Sequence, residues 1–179
     1  MGQDKALLTL DGKPLIARQV ELARELGAAE FFISARAEAN YDSLGCSALH
    51  DRVANAGPLA GIESALAASS SQLLLVLAVD LPKMTAAPLQ TLLVCCSGIC
   101  GAVPRFQSQM EPLAAIYPRS ALPIAKELLD SGSYAARDFA TRCVEFNLAT
   151  FIDLPQQDSV YFANWNTPSD VQSGRKSSG

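Results

Sequence analysis

One stretch limits what this 179-residue chain can fold into more than any other: Leu73-Leu74-Leu75-Val76-Leu77-Ala78-Val79-Asp80-Leu81-Pro82. Its seven apolar residues lie between polar Ser69-Ser70-Ser71-Gln72 and a carboxylate followed by Leu81 and Pro82. The run has the length of a strand and none of the polar alternation of a half-exposed one, so it reads as a strand buried on both faces at the centre of a parallel sheet. In open α/β sheets ligands collect outside the carboxyl ends of the strands, and Asp80 is delivered there. A carboxylate in that place can hold Mg²⁺, a hard cation that takes oxygen ligands and shares them with substrate phosphates. Asp-Leu-Pro is also ordinary turn chemistry, and a capping role for Asp80 stands beside the metal role.

The rest of the chain is organised around that strand. Leu15 to Leu26 places apolar residues at helical spacing and ends at Gly27; Phe31 to Ser34 is a strand, and Ala48 to Asp51 another that finishes on a carboxylate. The segment Gly57-Pro58-Leu59-Ala60-Gly61 opens a helix over 62–68; a helix over 86–96 and a strand over 99–104 follow the central strand. This alternation predicts an α/β fold with a mostly parallel, doubly wound sheet. The second half adds an antiparallel portion: a strand over 111–117, helices over 121–129 and 135–143, a strand over 144–149, and a helix start at Thr167-Pro168. No linker divides the chain, so residues 1–171 read as one domain and 172–179 as a disordered tail.

Composition excludes several classes of function. With 49% hydrophobic and 18% charged residues the chain is neither disordered nor fibrous. Its net charge of −4 comes without a basic stripe, which argues against a nucleic-acid partner. Five scattered cysteines and one histidine give no zinc spacing and no even-numbered disulfide framework; they read as reduced, mostly packing thiols of a cytoplasmic protein. No apolar run approaches membrane-spanning length, and Met1-Gly2-Gln3-Asp4-Lys5 is too polar for a signal peptide.

Four groups carry candidate chemistry, each with a plainer alternative. Lys5 is a point charge for phosphate or a solvated surface lysine. Asp51 and Asp80 end two strands of one sheet; if they face one crevice, their mutual repulsion makes Mg²⁺ the economical explanation, and if not, they cap separate loops. The glycines of the Gly57 to Gly61 segment permit close backbone approach to a base or ribose, or serve a turn and helix start. Asn164 and Asn166, either side of Trp165, bind substrate or hold a turn. Apart from these four, Ser133, Tyr134 and Arg137 stand as acceptor-phosphate contacts or as a helix surface.

Taken in order, Met1-Gly2-Gln3-Asp4-Lys5-Ala6-Leu7-Leu8, Ile33-Ser34-Ala35, Asp51 with Gly57-Pro58-Leu59-Ala60-Gly61, Val79-Asp80-Leu81-Pro82, Glu111-Pro112-Leu113 and Asn164-Trp165-Asn166-Thr167-Pro168-Ser169-Asp170 form a series. It resembles the successive motifs of the molybdenum cofactor guanylyltransferases, nucleotidyltransferases of glycosyltransferase-A-like fold. The resemblance implies transfer of GMP from GTP to molybdopterin with Mg²⁺ and release of pyrophosphate. By position it implies that Lys5 meets the nucleotide phosphates, that Asp51 and Gly57, Pro58, Leu59, Ala60 and Gly61 lie at the nucleotide, and that Asp80 ligates Mg²⁺. Asn164 and Asn166 then lie on the pterin side. It further implies transient contacts with cofactor-biosynthesis or acceptor proteins.

The sequence departs from that family in two places. There the Met-Gly-x-Asp-Lys segment follows a first strand and a glycine-rich loop ending in arginine, which supply backbone N–H groups and a cation to the triphosphate. This sequence starts at the methionine after them, as an internal methionine of a longer protein would; the expectation is lost activity and exposed apolar surface where the strand belongs. Second, Arg36 follows Ile33-Ser34-Ala35 where the family tends to have asparagine, which bears on guanine selectivity. The alternatives are a CTP-using molybdopterin cytidylyltransferase and a non-catalytic member that binds pterin or a partner protein.

Overall fold

The computed structural model describes residues 8–34, 41, 44–49, 52–53 and 56–165. A small hairpin, β1 (Thr9–Leu10) and β2 (Lys13–Pro14), leads into helix α1 (Leu15–Glu25). Strands β3 (Phe32–Ser34) and β4 (Ser47–Leu49) pair in parallel and are followed by helix α2 (Gly57–Ala68). The apolar run forms β5 (Leu73–Leu77). Helix α3 (Ala86–Cys95), strands β6 (Gly101–Phe106), β7 (Gln109–Met110) and β8 (Ala114–Pro118), helices α4 (Leu122–Asp130) and α5 (Ala136–Glu145), and strand β9 (Ala149–Asp153) complete the fold.

The larger sheet runs β5-β8-β6-β7, with β9 paired to β6. Strand β8 is the antiparallel member, running against both β5 and β6, whereas β9 lies parallel to β6. All five residues of β8 are buried, and they alternate between two cores as strand geometry requires. Ala115 and Tyr117 join Leu59, Leu66, Ile124 and Phe139 under α2, α4 and α5; Ala114 and Ile116 join Leu22, Leu89 and Leu92 under α1 and α3. Helices therefore cover both faces, the layering the alternation predicted. Gly101 lets β6 approach β8, since a Cβ there would stand 2.1 Å from the Ile116 carbonyl oxygen.

Three elements differ from their expected form. Gly57 to Gly61 is not a loop before the helix but its first turn, with Pro58 in the position where a missing N–H costs nothing. The last strand is Ala149–Asp153 rather than 144–149, because the buried stripe Ala136, Phe139, Ala140 and Cys143 extends α5 through Glu145. Finally, β5 stands at the end of the larger sheet, pairing with β8 on one side, and all five of its residues are half-buried instead of central. No described helix is long and apolar enough to cross a membrane.

The five cysteines are free; Cys143 is fully buried, and burial pushes its thiol up to about 12, as a packing residue requires.

A carboxylate ties β3 to β5. Glu30, two residues ahead of β3, accepts hydrogen bonds from the Ser71 hydroxyl (2.7 Å), the Ser69 hydroxyl (3.0 Å) and the backbone N–H groups of Ser70 (3.1 Å) and Ser71 (3.0 Å). These bonds, led by the Ser71 hydroxyl, hold the Glu30 carboxyl down at about 2 from its ordinary 4.5. A depressed folded value gives stability that is present above pH 4.5 and lost as pH falls toward 2. Glu30→Gln is therefore expected to lower the thermal midpoint at pH 7, with the gap to the unsubstituted chain narrowing as melting is repeated down that range.

Candidate active site

Asp80 lies just beyond the carboxyl end of β5, half-buried, and backbone contacts fix its position from two sides. The N–H of Trp165 donates to the Asp80 carbonyl (2.9 Å), and the buried amide of Gln19 on α1 donates to the carbonyl of the next residue, Leu81 (2.9 Å). The first contact brings Asn164, an exposed neighbour of Trp165, to the Asp80 segment. Burying Gln19 on the apolar side of α1 makes sense only through that bond, since an unpaired buried amide is costly.

Helix α2 delivers its N-terminus to the same edge. Pro58, in its first turn, lines the same cavity as Ala78 and Val79, just past the end of β5. No described side chain caps this helix, and an N-terminus of this kind offers N–H groups to an anion along the helix dipole. Gly57 has φ +63°, a conformation that L side chains rarely adopt, and a Cβ there would point at the Tyr134 carbonyl oxygen (3.6 Å). Gly57 and Pro58 are exposed, whereas Leu59, Ala60 and Gly61 are buried. Only the backbone of this segment's first turn can meet a ligand; the side chains of Leu59 and Ala60 belong to the core.

The loop before β8 joins the edge as well. The Ala78 N–H donates to the Leu113 carbonyl (2.7 Å), and the Tyr117 hydroxyl to the Pro112 carbonyl (2.9 Å). Glu111 is thereby held half-buried; burial raises its carboxyl, and the Arg137 charge offsets part of that rise. Sequence reasoning quoted Glu111 without giving it a role, and its burial beside Arg137 depends on contacts made only after folding. On the far side of the same edge Arg105 forms a two-bond fork with Asp153 (2.7 and 2.9 Å).

Asp80 stands at the carboxyl edge with Asn164 beside its contact Trp165; β4 ends at Leu49, two residues short of Asp51, but in a sheet separate from that of β5, so the two strands expected to share one sheet do not. Lys5, Arg36, Asp51 and Asn166 lie outside the described residues. Among the described residues no group of three or more metal-ligating side chains occurs. Asp80 nonetheless suits Mg²⁺, which is commonly bound by one or two carboxylates with phosphate oxygens and water filling the rest.

Residues 1–145 match the family model of the MobA-like NTP transferase domain. The chain belongs to this family. It is 38% identical over 179 residues to a probable molybdenum cofactor guanylyltransferase of Opitutus terrae, a match covering 98% of this chain and 89% of that protein. To one of the same description from Pelotomaculum thermopropionicum it is 32% identical, covering 98% and 85%. Among solved structures it resembles molybdopterin-guanine dinucleotide biosynthesis protein A of Archaeoglobus fulgidus (TM-score 0.72, 22% identity, covering 98% and 90%). It also resembles 2-C-methyl-D-erythritol 4-phosphate cytidylyltransferase of Thermus thermophilus (TM-score 0.74, 18% identity, 98% and 93%). The mixed sheet with helices on both faces is that of a nucleotidyltransferase.

Proposed function

We propose that this member of the family transfers GMP from GTP to molybdopterin and releases pyrophosphate, with Mg²⁺ as its metal. The observation that carries the reading is Asp80 just past the carboxyl end of β5, with the Trp165 N–H, next to Asn164, bonded to its carbonyl. This reading uses Asp80 as a metal-holding carboxylate, the N–H groups at the start of α2 as donors for an anion, and the Asn164 amide for a polar heterocycle. The names of the curated relatives supply the substrates.

In this reading the terminal phosphate of molybdopterin attacks the α-phosphorus of GTP. A phosphate nucleophile is already ionised, so no side chain has to remove a proton, and the protein's contribution is positioning and electrostatics. Mg²⁺, held by Asp80, supplies neutralisation of phosphate charge when bound. Lys5 adds a cation at the phosphates, Asp51 and the backbone at Gly57 and Pro58 hold the nucleotide, and Asn164 with Asn166 orients the pterin. Calorimetric titration of the chain with GTP and with CTP, each with Mg²⁺, tests the nucleotide assignment. Heat from GTP alone is expected; saturable binding of CTP with none of GTP overturns it.

A further inference from the structure

Beside Asp80, the turn ahead of β8 and the link between α4 and α5 meet at one corner of the fold. The turn, residues 111–114, is closed by the Ala114 N–H on the Glu111 carbonyl (3.2 Å) and tied to β6 by the Glu111 N–H on the Pro104 carbonyl (3.0 Å). The Ala78 N–H, two residues before Asp80, holds its Leu113 carbonyl. Tyr117 joins the turn to α5, since its hydroxyl donates to the Pro112 carbonyl while its ring packs on that of Phe139. Arg137 lies in the first turn of α5, and its charge acts on the Glu111 carboxyl.

Tyr134 belongs to the link that leads into that turn of helix. The link is fixed by the Gly132 N–H on the Leu129 carbonyl (3.1 Å), the Ser133 N–H on the Leu128 carbonyl (2.9 Å) and the Ser133 hydroxyl on the Asp138 carboxylate (2.8 Å). The Tyr134 carbonyl is the one a Cβ at Gly57 would meet, so the link also lies against the start of α2.

The fold gives two side chains of this corner nothing to do. Glu111 is half-buried, which raises its carboxyl, yet among the described residues it accepts no hydrogen bond and forms no ion pair. A carboxylate drawn out of water is ordinarily given donors. Tyr134 is 41% exposed, and among the described residues its ring meets no other aromatic ring and its hydroxyl no partner. A ring on a link already fixed at several points loses little freedom when a flat ligand covers it. Two acceptor oxygens and an open ring face suit a flat heterocycle with two adjacent N–H donors on one edge.

We propose that Glu111 and Tyr134 form a recognition site for a 2-amino-4-oxopyrimidine ring, with Glu111 accepting hydrogen bonds from its ring N–H and amino group and Tyr134 stacking on its face. Both substrates of the transfer reading, on which this assignment rests, carry that ring: GTP in its guanine and molybdopterin in its pterin. Arg137 keeps Glu111 ionised for the task, and the Ala78 bond to Leu113 sets the site beside the Asp80 segment.

Calorimetry on the whole chain tests it, with guanosine and with pterin as probes, free of phosphate and Mg²⁺, and with the analogue of each that lacks the 2-amino group. At least one of the two rings is expected to bind saturably. Tyr134→Leu should weaken that binding about tenfold to a hundredfold, and Tyr134→Phe, which keeps a ring face, by less than about threefold. Glu111→Gln should weaken it about tenfold or more, because the amide turns a donor toward a donor of the ligand. The analogue should bind the unsubstituted chain as weakly as the full ring binds the Glu111→Gln chain. Thermal melting should not fall in any of these variants. Losses confined to guanosine uphold the site as the nucleotide's, and losses confined to pterin uphold it as the acceptor's. Failure of both rings to bind at their solubility limits overturns the proposal, as does binding that Glu111→Gln and Tyr134→Leu leave within about threefold. A chain that binds a ring through these residues and transfers no GMP upholds the site while the transfer reading falls alone.

Discussion

Asp80→Ala is expected to lower GMP transfer by about a hundredfold to a thousandfold, the usual cost of deleting a preorganised group that stabilises developing charge. The protein should fold as before. Asp80 is half-buried at the end of β5, and the contacts that fix its segment, from Trp165 to its carbonyl and from Gln19 to the Leu81 carbonyl, use backbone oxygens that alanine retains. The variant separates two effects: thermal melting should stay close to that of the unsubstituted chain, while the Mg²⁺-dependent part of GTP affinity disappears. Asp80→Asn keeps the shape and loses the charge, and should behave like alanine if the carboxylate holds the metal. Transfer within about a factor of three of the unsubstituted protein would show that Asp80 serves the turn alone.

Phe139→Ala should be the most damaging single change in the core, costing about 3–5 kcal/mol. Phe139 is fully buried on α5, and its ring packs on that of Tyr117 with centroids 4.8 Å apart at 50°. The loss is a large share of the roughly 5–15 kcal/mol by which a domain of this kind is stable. The site should suffer with it, because the Tyr117 hydroxyl holds the Pro112 carbonyl and so the loop that carries Glu111. Chemical unfolding is the measurement: the midpoint should fall sharply with the slope unchanged. A midpoint shift worth less than about 1 kcal/mol would mean that the core closes over the missing ring.

Much of the fold was legible because hydrophobic period and punctuation agree locally. Leu73 to Leu77 is a strand, Leu15 to Glu25 a helix stopped ahead of Gly27, and Asp80 follows its strand as the apolar run implied. Where two local signals compete, tertiary packing decides. Gly57-Pro58 reads as a turn, yet the fully buried Leu59 and Ala60 make it the start of α2; Val144 has strand character, yet Phe139, Ala140 and Cys143 draw it into α5. Contacts between distant segments leave no local trace. Nothing near Glu30 announces its bonds to Ser69, Ser70 and Ser71, and nothing near Glu111 announces burial beside Arg137. The edge position of β5 is the opposite case, since its composition points to a neighbour on each side and the described fold supplies one.

The central claim is nucleotidyl transfer to molybdopterin at the Asp80 edge, and its most direct test is the product. The chain, joined ahead of Met1 to the first strand and glycine-rich loop of a family relative, is incubated with molybdopterin, Mg²⁺ and GTP labelled in its α-phosphate, and the label is followed by chromatography alongside pyrophosphate release. Label should enter a molybdopterin-guanine dinucleotide with an equal yield of pyrophosphate, and labelled CTP should give no dinucleotide. Label that enters product from CTP and not from GTP, or molybdopterin that binds while GTP stays intact, would contradict the account.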